Sequence, residues 1–425
     1  MNAHIDAHVD VDVDTHVDAR ILDYAAVGIG PANMSLAALA HPVDGLRGAH
    51  LERRESFSWH PGLLLPEATL QVSLLKDLVT LVDPTSPFSF LSFLASEGRL
   101  YRFLAADFPA VLRAEFNQYL QWVAGRLPSL TFGADVRSVD FRDGAFQLRA
   151  GEHEVTARHL VLGTGLAPSV PEPFRPVLGP TVFHSGEFLL RSPDVTGRRV
   201  VVVGGGQSGA EIVRHLAVGA APDSITWVSR RSSFLPMDDS PFANDLYTPE
   251  YVRRFHALPA DHKARLLERQ KYTSDGIDLQ VLQDIYRLSY RDEFIENNPG
   301  RLRFLADCAV TAIEGGPDEW KLVVESSGPD APAVLAADIV ILSTGYAHAL
   351  PDFMAPLAAR LRRDDGMLVV GDDFSVAWDG PAENRIYLQN GARHSWGVAD
   401  PNLSLLAWRS AVILNSMLGE TRYSV

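Results

Sequence analysis

Residues 198–217 read RRVVVVGGGQSGAEIVRHLA: a run of four valines, then glycines at 204, 205, 206 and 209, then apolar residues at helical spacing. A short buried strand that breaks at closely spaced glycines and resumes as a helix is the βα unit of a dinucleotide-binding fold. Gly204 permits the tight turn, Gly206 lets a pyrophosphate approach the backbone, and Gly209 lets the helix pack closely on its strand. The following strand ends in TWVSRRSS (226–233). Arg230 and Arg231 stand where an NAD-selective protein places an acid, and a guanidinium fork suits a 2′-phosphate, so NADPH is expected over NADH. The plainer alternative is a pair of solvated surface arginines.

The stretch LDYAAVGIGPANMSLAALA (22–40) has the same strand–turn–helix form. Gly28 and Gly30 fill the first two glycine positions, Pro31 starts the helix, and Asn33 replaces the third glycine. The next strand ends in GAHLERRE (48–55), with Glu52 lying 24 residues after Gly28, where a carboxylate accepts ribose hydroxyls. Taken alone, this turn is also compatible with a loop that holds no ligand.

The chain has 425 residues, 46% of them apolar and 21% charged, which is ordinary for a globular protein with two or three domains. A net charge of −15 argues against general nucleic-acid binding, and no apolar run is long enough to suggest a membrane span. One cysteine, Cys308, excludes an internal disulfide, a cysteine-built zinc site and a CxxC redox pair. No metal site is expected, and the expected location is cytoplasmic. Residues 1–20, rich in His, Asp, Val and Ala, form a low-complexity leader without the features of a signal peptide. His4, His8 and His16 offer a weak metal-binding alternative for it.

These patterns imply an α/β chain with two Rossmann-like dinucleotide-binding domains. Residues 21–170 and 335–425 are assigned to an FAD domain, and 171–334 to an NADPH domain with a helical insert at about 236–298. The five prolines of PSVPEPFRPVLGP (168–180) mark a crossover. HLVLGTGLAP (159–168) and DIVILSTGYAHALP (338–351) are strands ending in Thr-Gly, expected where the chain crosses between the domains. Two dinucleotide folds in one chain suggest a flavoprotein reduced by a nicotinamide. Without a cysteine pair, its electrons must pass to a quinone, a protein or O2. A non-catalytic redox sensor is the rival reading, but a sensor needs only one nucleotide and no substrate chamber.

Several segments together make the chain resemble the bacterial lysine/ornithine N-monooxygenases of siderophore biosynthesis. They are FSWHPGLLLP (57–66), LQVSLLKDLVTLVDPTSPFSFLSFL (70–94), VVGGGQSGAE (202–211), DDSPFANDLYTPEY (238–251), KYTSDGI (271–277) and LSLLAWRSAVILN (403–415). The form of KYTSDGI is similar to the lysine N6-hydroxylases and the putrescine or cadaverine hydroxylases, where ornithine enzymes carry Asn-Thr-Asn-Tyr-Ser. The resemblance implies FAD held by Gly28, Gly30, Pro31 and Asn33, with Glu52 on the ribose and the Val136 backbone near the adenine. It implies that Trp59, His60, Gln71 and Ser404 lie about the flavin, and that Gly204, Gly206, Gln207, Ser208, Gly209, Arg230 and Arg231 hold NADPH. Lys76 and Asn244 would hold the amino-acid head group, with Thr273 at the place of the ornithine enzymes' asparagine.

The implied reaction is N-hydroxylation of a terminal amine through a C4a-hydroperoxyflavin, with O2 and a small amine as reactants and no acid/base side chain assigned. L-lysine is the first expectation, a diamine or L-ornithine the alternative. A homo-oligomer, dimer or tetramer, is expected. Lys76 is one of only four lysines beside 34 arginines, in the apolar run VSLLKDLVTLV, and a compact cation there suits a carboxylate. The plain alternatives are a Lys76–Asp77 ion pair and, for Asn244, a helix N-cap. His184 and His394 are left without a role.

Overall fold

The computed structural model describes residues 21–219, 221–326, 328 and 333–425. The expected leader, with its three histidines, lies outside them. The run Leu22–Val27 forms the central strand of the first sheet because it is apolar on both faces. It pairs in parallel with Gly48–Leu51 on one side and His153–Leu162 on the other, in the registers Val27↔Leu51 and Val27↔Leu162. Leu130–Thr131 and Ile386–Leu388 extend the parallel set outward, and a meander of Val136–Arg142 and Ala145–Ala150 leads into His153–Leu162. Helix Pro31–Ala40, small-residue and almost wholly buried, is sandwiched between this sheet and the C-terminal helix Leu406–Leu418. Helix Arg113–Ala124 buries Phe116, Tyr119, Leu120 and Val123, an i, i+3, i+4, i+7 face that meets Phe90 and Phe93.

The second sheet is parallel throughout, in the order Leu302–Leu305, Ser224–Val228, Arg199–Val203, Ile339–Leu342, Val182–His184. Its central strands obey the period of two. Val200, Val202, Ile339 and Ile341 face a core shared with helices Gln207–Gly219 and Leu279–Phe294. Val201, Val340 and Leu342 face Trp320 and Leu322 of the antiparallel sheet Cys308–Gly316, Glu319–Ser326 and Val334–Ala337. Ala167–Pro168 and Tyr346–Ala347 pair antiparallel where the chain passes between the two large sheets. Ser169 N–H donates to Gly345 O at 2.9 Å beside them.

One expected boundary moves. Residues 335–342 do not belong with the first sheet, because Ile339–Leu342 is hydrogen-bonded between Arg199–Val203 and Val182–His184. The return crossing lies at Tyr346, not at 335. Among the described residues no helix is long and apolar enough to cross a membrane.

Candidate functional site

Both glycine turns lie at the C-terminal ends of parallel strands, where α/β sheets open a crevice for ligands. At the first, Gly28 has φ +89°, and a Cβ would stand 2.6 Å from the Gly163 carbonyl oxygen. Gly30 has nothing within 4 Å of its missing Cβ, which leaves the backbone open at the N-terminus of helix Pro31–Ala40. Asn33, expected among the residues that hold FAD, has its side chain committed to the protein. It is fully buried, its Nδ2 donates to the Gly28 and Val27 carbonyls at 2.8 and 3.2 Å, and its Oδ1 accepts from Gln389 Nε2 at 2.9 Å. The residue therefore braces the turn from behind. Space for it comes from Gly163, where a Cβ would lie 2.4 Å from Nδ2.

Glu52 ends its strand beside this turn and accepts from Ile29 N–H at 3.0 Å and from Arg54 Nε at 3.0 Å. Gly133 and Ala134 donate their N–H groups to Arg54 O and Glu52 O, which brings Val136 to the same end of the crevice. At the other end, Trp59 N–H donates to Asn117 Oδ1 at 2.8 Å. Its ring lies 5.1 Å from that of His60, which in turn faces Tyr346 of the crossing strand at 6.4 Å. Gln71 is exposed, while Ser404 is buried with its hydroxyl donating to Asn402 Oδ1 at 2.7 Å.

At the second turn, Gly204 has φ +127°, and a Cβ would stand 2.0 Å from Ser343 O. The missing Cβ of Gly206 again meets nothing within 4 Å, and Gly209 packs against Gly204 O. Gln207 is engaged at both ends of its amide: Nε2 donates to Glu211 Oε1 at 2.9 Å, and Oε1 accepts from Asp278 N–H at 2.8 Å. The two arginines part company. Arg231 turns inward, its Nη1 donating to Gly205 O and Asp275 O at 2.9 and 2.7 Å, whereas Arg230 is exposed at a cleft of about 340 Å³ that Asp307, Glu325 and Ser326 also line. An open-backed glycine turn at a helix N-terminus, paired with the Glu52 carboxylate in one case and the exposed Arg230 guanidinium in the other, fits FAD and NADPH respectively.

Lys76 and Thr273 meet through a residue the sequence did not single out, Tyr247. Lys76 Nζ lies 5.7 Å from the Tyr247 ring centroid, and the Tyr247 hydroxyl donates to Thr273 O at 2.6 Å. Asp77 is not the partner of Lys76. Its carboxylate, buried, accepts from the N–H groups of Val79, Thr80 and Phe90 and from the Thr80 hydroxyl. Among the described residues Lys76 makes no ion pair, and partial burial lowers its pKa. Ser240 caps the short helix Pro241–Asn244; Asn244 stands at the N-cap position of the 3-10 turn Asp245–Tyr247 without a side-chain cap bond, and its Nδ2 donates to Asp239 O at 2.8 Å. The Thr273 hydroxyl donates to Gln270 O at 2.7 Å. Tyr247 thus links Lys76 with Thr273, whereas Asn244, three residues before Tyr247, is exposed and its amide is turned to the backbone of Asp239 and Ser240.

Other functional-looking residues resolve into structure. His184 Nδ1 accepts from Gly186 N–H at 3.1 Å, so its Nε2 donates to Gly345 O at 3.0 Å, and burial lowers its pKa. His394 Nε2 lies 2.8 Å from Leu368 O. Nothing in the sequence pattern points to the buried pair Arg409–Asp400 at 3.1 Å, which touches Gln389 behind the first turn, or to the ion pair Arg113–Glu211. A glutamate in mid-helix, one turn after Gln207, was the available signal for the second pair.

Residues 20–348 match the family model described as L-lysine 6-monooxygenase/L-ornithine 5-monooxygenase. The chain is 39% identical over 409 residues to the L-lysine N6-monooxygenase of Escherichia coli, covering 95% of this chain and 96% of the relative. Among solved structures, a cadaverine monooxygenase of the desferrioxamine pathway from Erwinia amylovora, bound to FAD, superposes with a TM-score of 0.89 at 30% identity, covering 96% of each chain. The ornithine N-hydroxylase of Kutzneria sp. 744, with reduced FAD, NADP+ and L-ornithine, gives a TM-score of 0.87 at 33% identity, covering 94% of this chain and 99% of that one. The glycine turns and these likenesses lead to one family, and the chain belongs to the L-lysine 6-monooxygenase/L-ornithine 5-monooxygenase family of amine N-monooxygenases.

Proposed function

We propose that this chain is an FAD- and NADPH-dependent monooxygenase that hydroxylates the terminal amine of L-lysine, giving N6-hydroxylysine for hydroxamate siderophore assembly. The observation that carries the choice of substrate is Lys76: a half-buried ammonium with no carboxylate among the described residues, set beside Tyr247. A free amino acid brings the missing carboxylate, whereas a diamine brings a second cation to the same place. The side chain nearest the reacting end must be an uncharged amine, since only a free lone pair attacks oxygen, and an apolar chamber favours that form.

When bound, the nicotinamide reduces the flavin and the reduced flavin activates O2. The protein's share is position and dryness. In this reading Gly28 and Gly30 seat one pyrophosphate, Glu52 takes the ribose, Gly204 and Gly206 seat the other, and Arg230 meets the 2′-phosphate. Lys76 and Asn244 hold the head group so that the far amine reaches the flavin end of the crevice.

The test is hydroxylamine formation from L-lysine, L-ornithine, cadaverine and putrescine with NADPH under air. The highest kcat/KM is expected with L-lysine. Equal or better turnover of cadaverine would move the assignment to a diamine, and absence of NADPH-driven O2 uptake by FAD-loaded protein would end it.

A further inference from the structure

A partly buried polar chain runs between the two nucleotide units. Arg113, on the helix Arg113–Ala124 of the first unit, forks onto Glu211 of the helix Gln207–Gly219, with Nη1 3.0 Å from Oε2 and Nη2 2.8 Å from Oε1. The same guanidinium donates to Leu63 O at 3.0 Å and Thr69 O at 3.4 Å, two points within the segment that leads from Trp59 and His60 to Gln71. Glu211, only 2% exposed, also accepts from Gln207 Nε2. Gln207 Oε1 then takes the N–H of Asp278, whose carboxylate caps the insert helix Leu279–Phe294.

We infer that Arg113, Glu211 and Gln207 are positioning residues for hydride transfer: they form a clamp that fixes the second glycine turn, the flavin-side segment and the substrate insert relative to one another. The inference rests on NADPH occupying the second turn, as proposed above. A fork of two charge-assisted bonds prescribes both distance and angle, which a purely apolar contact does not. Hydride transfer tolerates little displacement of the nicotinamide from the flavin, so a small loss of register costs rate steeply. None of the three residues is asked to touch a reacting atom.

Glu211→Gln keeps the shape but removes the charge. In FAD-loaded Glu211→Gln we expect flavin reduction by NADPH to slow at least tenfold, NADP+ to bind more weakly by calorimetry, and hydroxylamine formed per NADPH to fall in favour of H2O2. Hydrogen exchange at the Asp278 amide should quicken while the central strands of both sheets stay protected. A variant that folds, retains FAD and matches the parent in reduction rate and in Asp278 protection overturns the clamp. Should Glu211→Gln fail to fold, the double variant Arg113→Met/Glu211→Leu replaces the pair with apolar groups of similar size, an exchange that buried ion pairs often tolerate. It is expected to fold and to show the same slowing; reduction at the parent rate overturns the inference equally. Parent protein that NADPH does not reduce would count against the nucleotide reading, and the exchange measurement would still decide the clamp.

Discussion

In the proposed reading, Lys76 is the single side chain that separates substrates. Its neighbours are a tyrosine ring and backbone, and the adjacent Asp77 is fully occupied with Thr80 and Phe90. A charge-assisted contact to a substrate carboxylate is worth about 1.5–3 kcal/mol, so Lys76→Ala should raise KM for L-lysine roughly 10- to 100-fold with little change in kcat. The same variant should leave cadaverine turnover unchanged or improved, and steady-state kinetics with both amines checks it. Tyr247 shows what the sequence concealed: its aromatic ring and hydroxyl unite Lys76 with Thr273 across residues far apart in the chain, and no local spacing announces that. Lys76 itself stands out in the sequence because a rare lysine in an apolar run is chemically conspicuous.

At the scale of the element, the strand–turn–helix units were readable because every determinant is local: buried strand, glycine with positive φ, helix start. Gly204→Ala should test this directly. A Cβ would meet Ser343 O at 2.0 Å in a backbone region that L-residues avoid, so the variant is expected to lose NADP+ binding, measured by calorimetry, while keeping FAD. Asn33 is the complementary case. Its three hydrogen bonds replace what a third glycine would do for the turn, and Asn33→Ala leaves buried partners unmet. The cost should be about 1–3 kcal/mol, seen as a lower urea midpoint and as FAD lost on desalting. What local pattern could not supply was long-range pairing. Ile339–Leu342 reads as a strand from its own residues, but its place beside Arg199–Val203 depends on partners more than a hundred residues away. Arg113 and Glu211, 98 residues apart, were invisible for the same reason.

Across the whole molecule, the packing that makes the first sheet also makes it sensitive to acid. His50 sits in Gly48–Leu51 and His159 in His153–Leu162, the two strands that flank Leu22–Val27, and both are buried. Burial pushes each pKa down to about 4; for His159 the nearby Arg158 and Arg385 add to the effect, and its Nδ1 must stay unprotonated to accept the Arg385 N–H. The unfolded chain takes up these protons near pH 6.5, whereas the folded chain refuses them until about pH 4. Stability is therefore complete above pH 6.5 and drains away as pH falls toward 4, by a few kcal/mol for each histidine. His184, His256 and His348 act in the same direction through burial. The carboxylates of Asp338 and Asp373, held below their ordinary range, enter only at lower pH, so the histidine window stands apart from them. Urea midpoints of the FAD-loaded protein should fall between pH 7 and pH 5, and His50→Leu should flatten that fall while leaving the Asp338 and Asp373 region unchanged. An identical slope in the variant would mean that His50 does not carry the acid sensitivity.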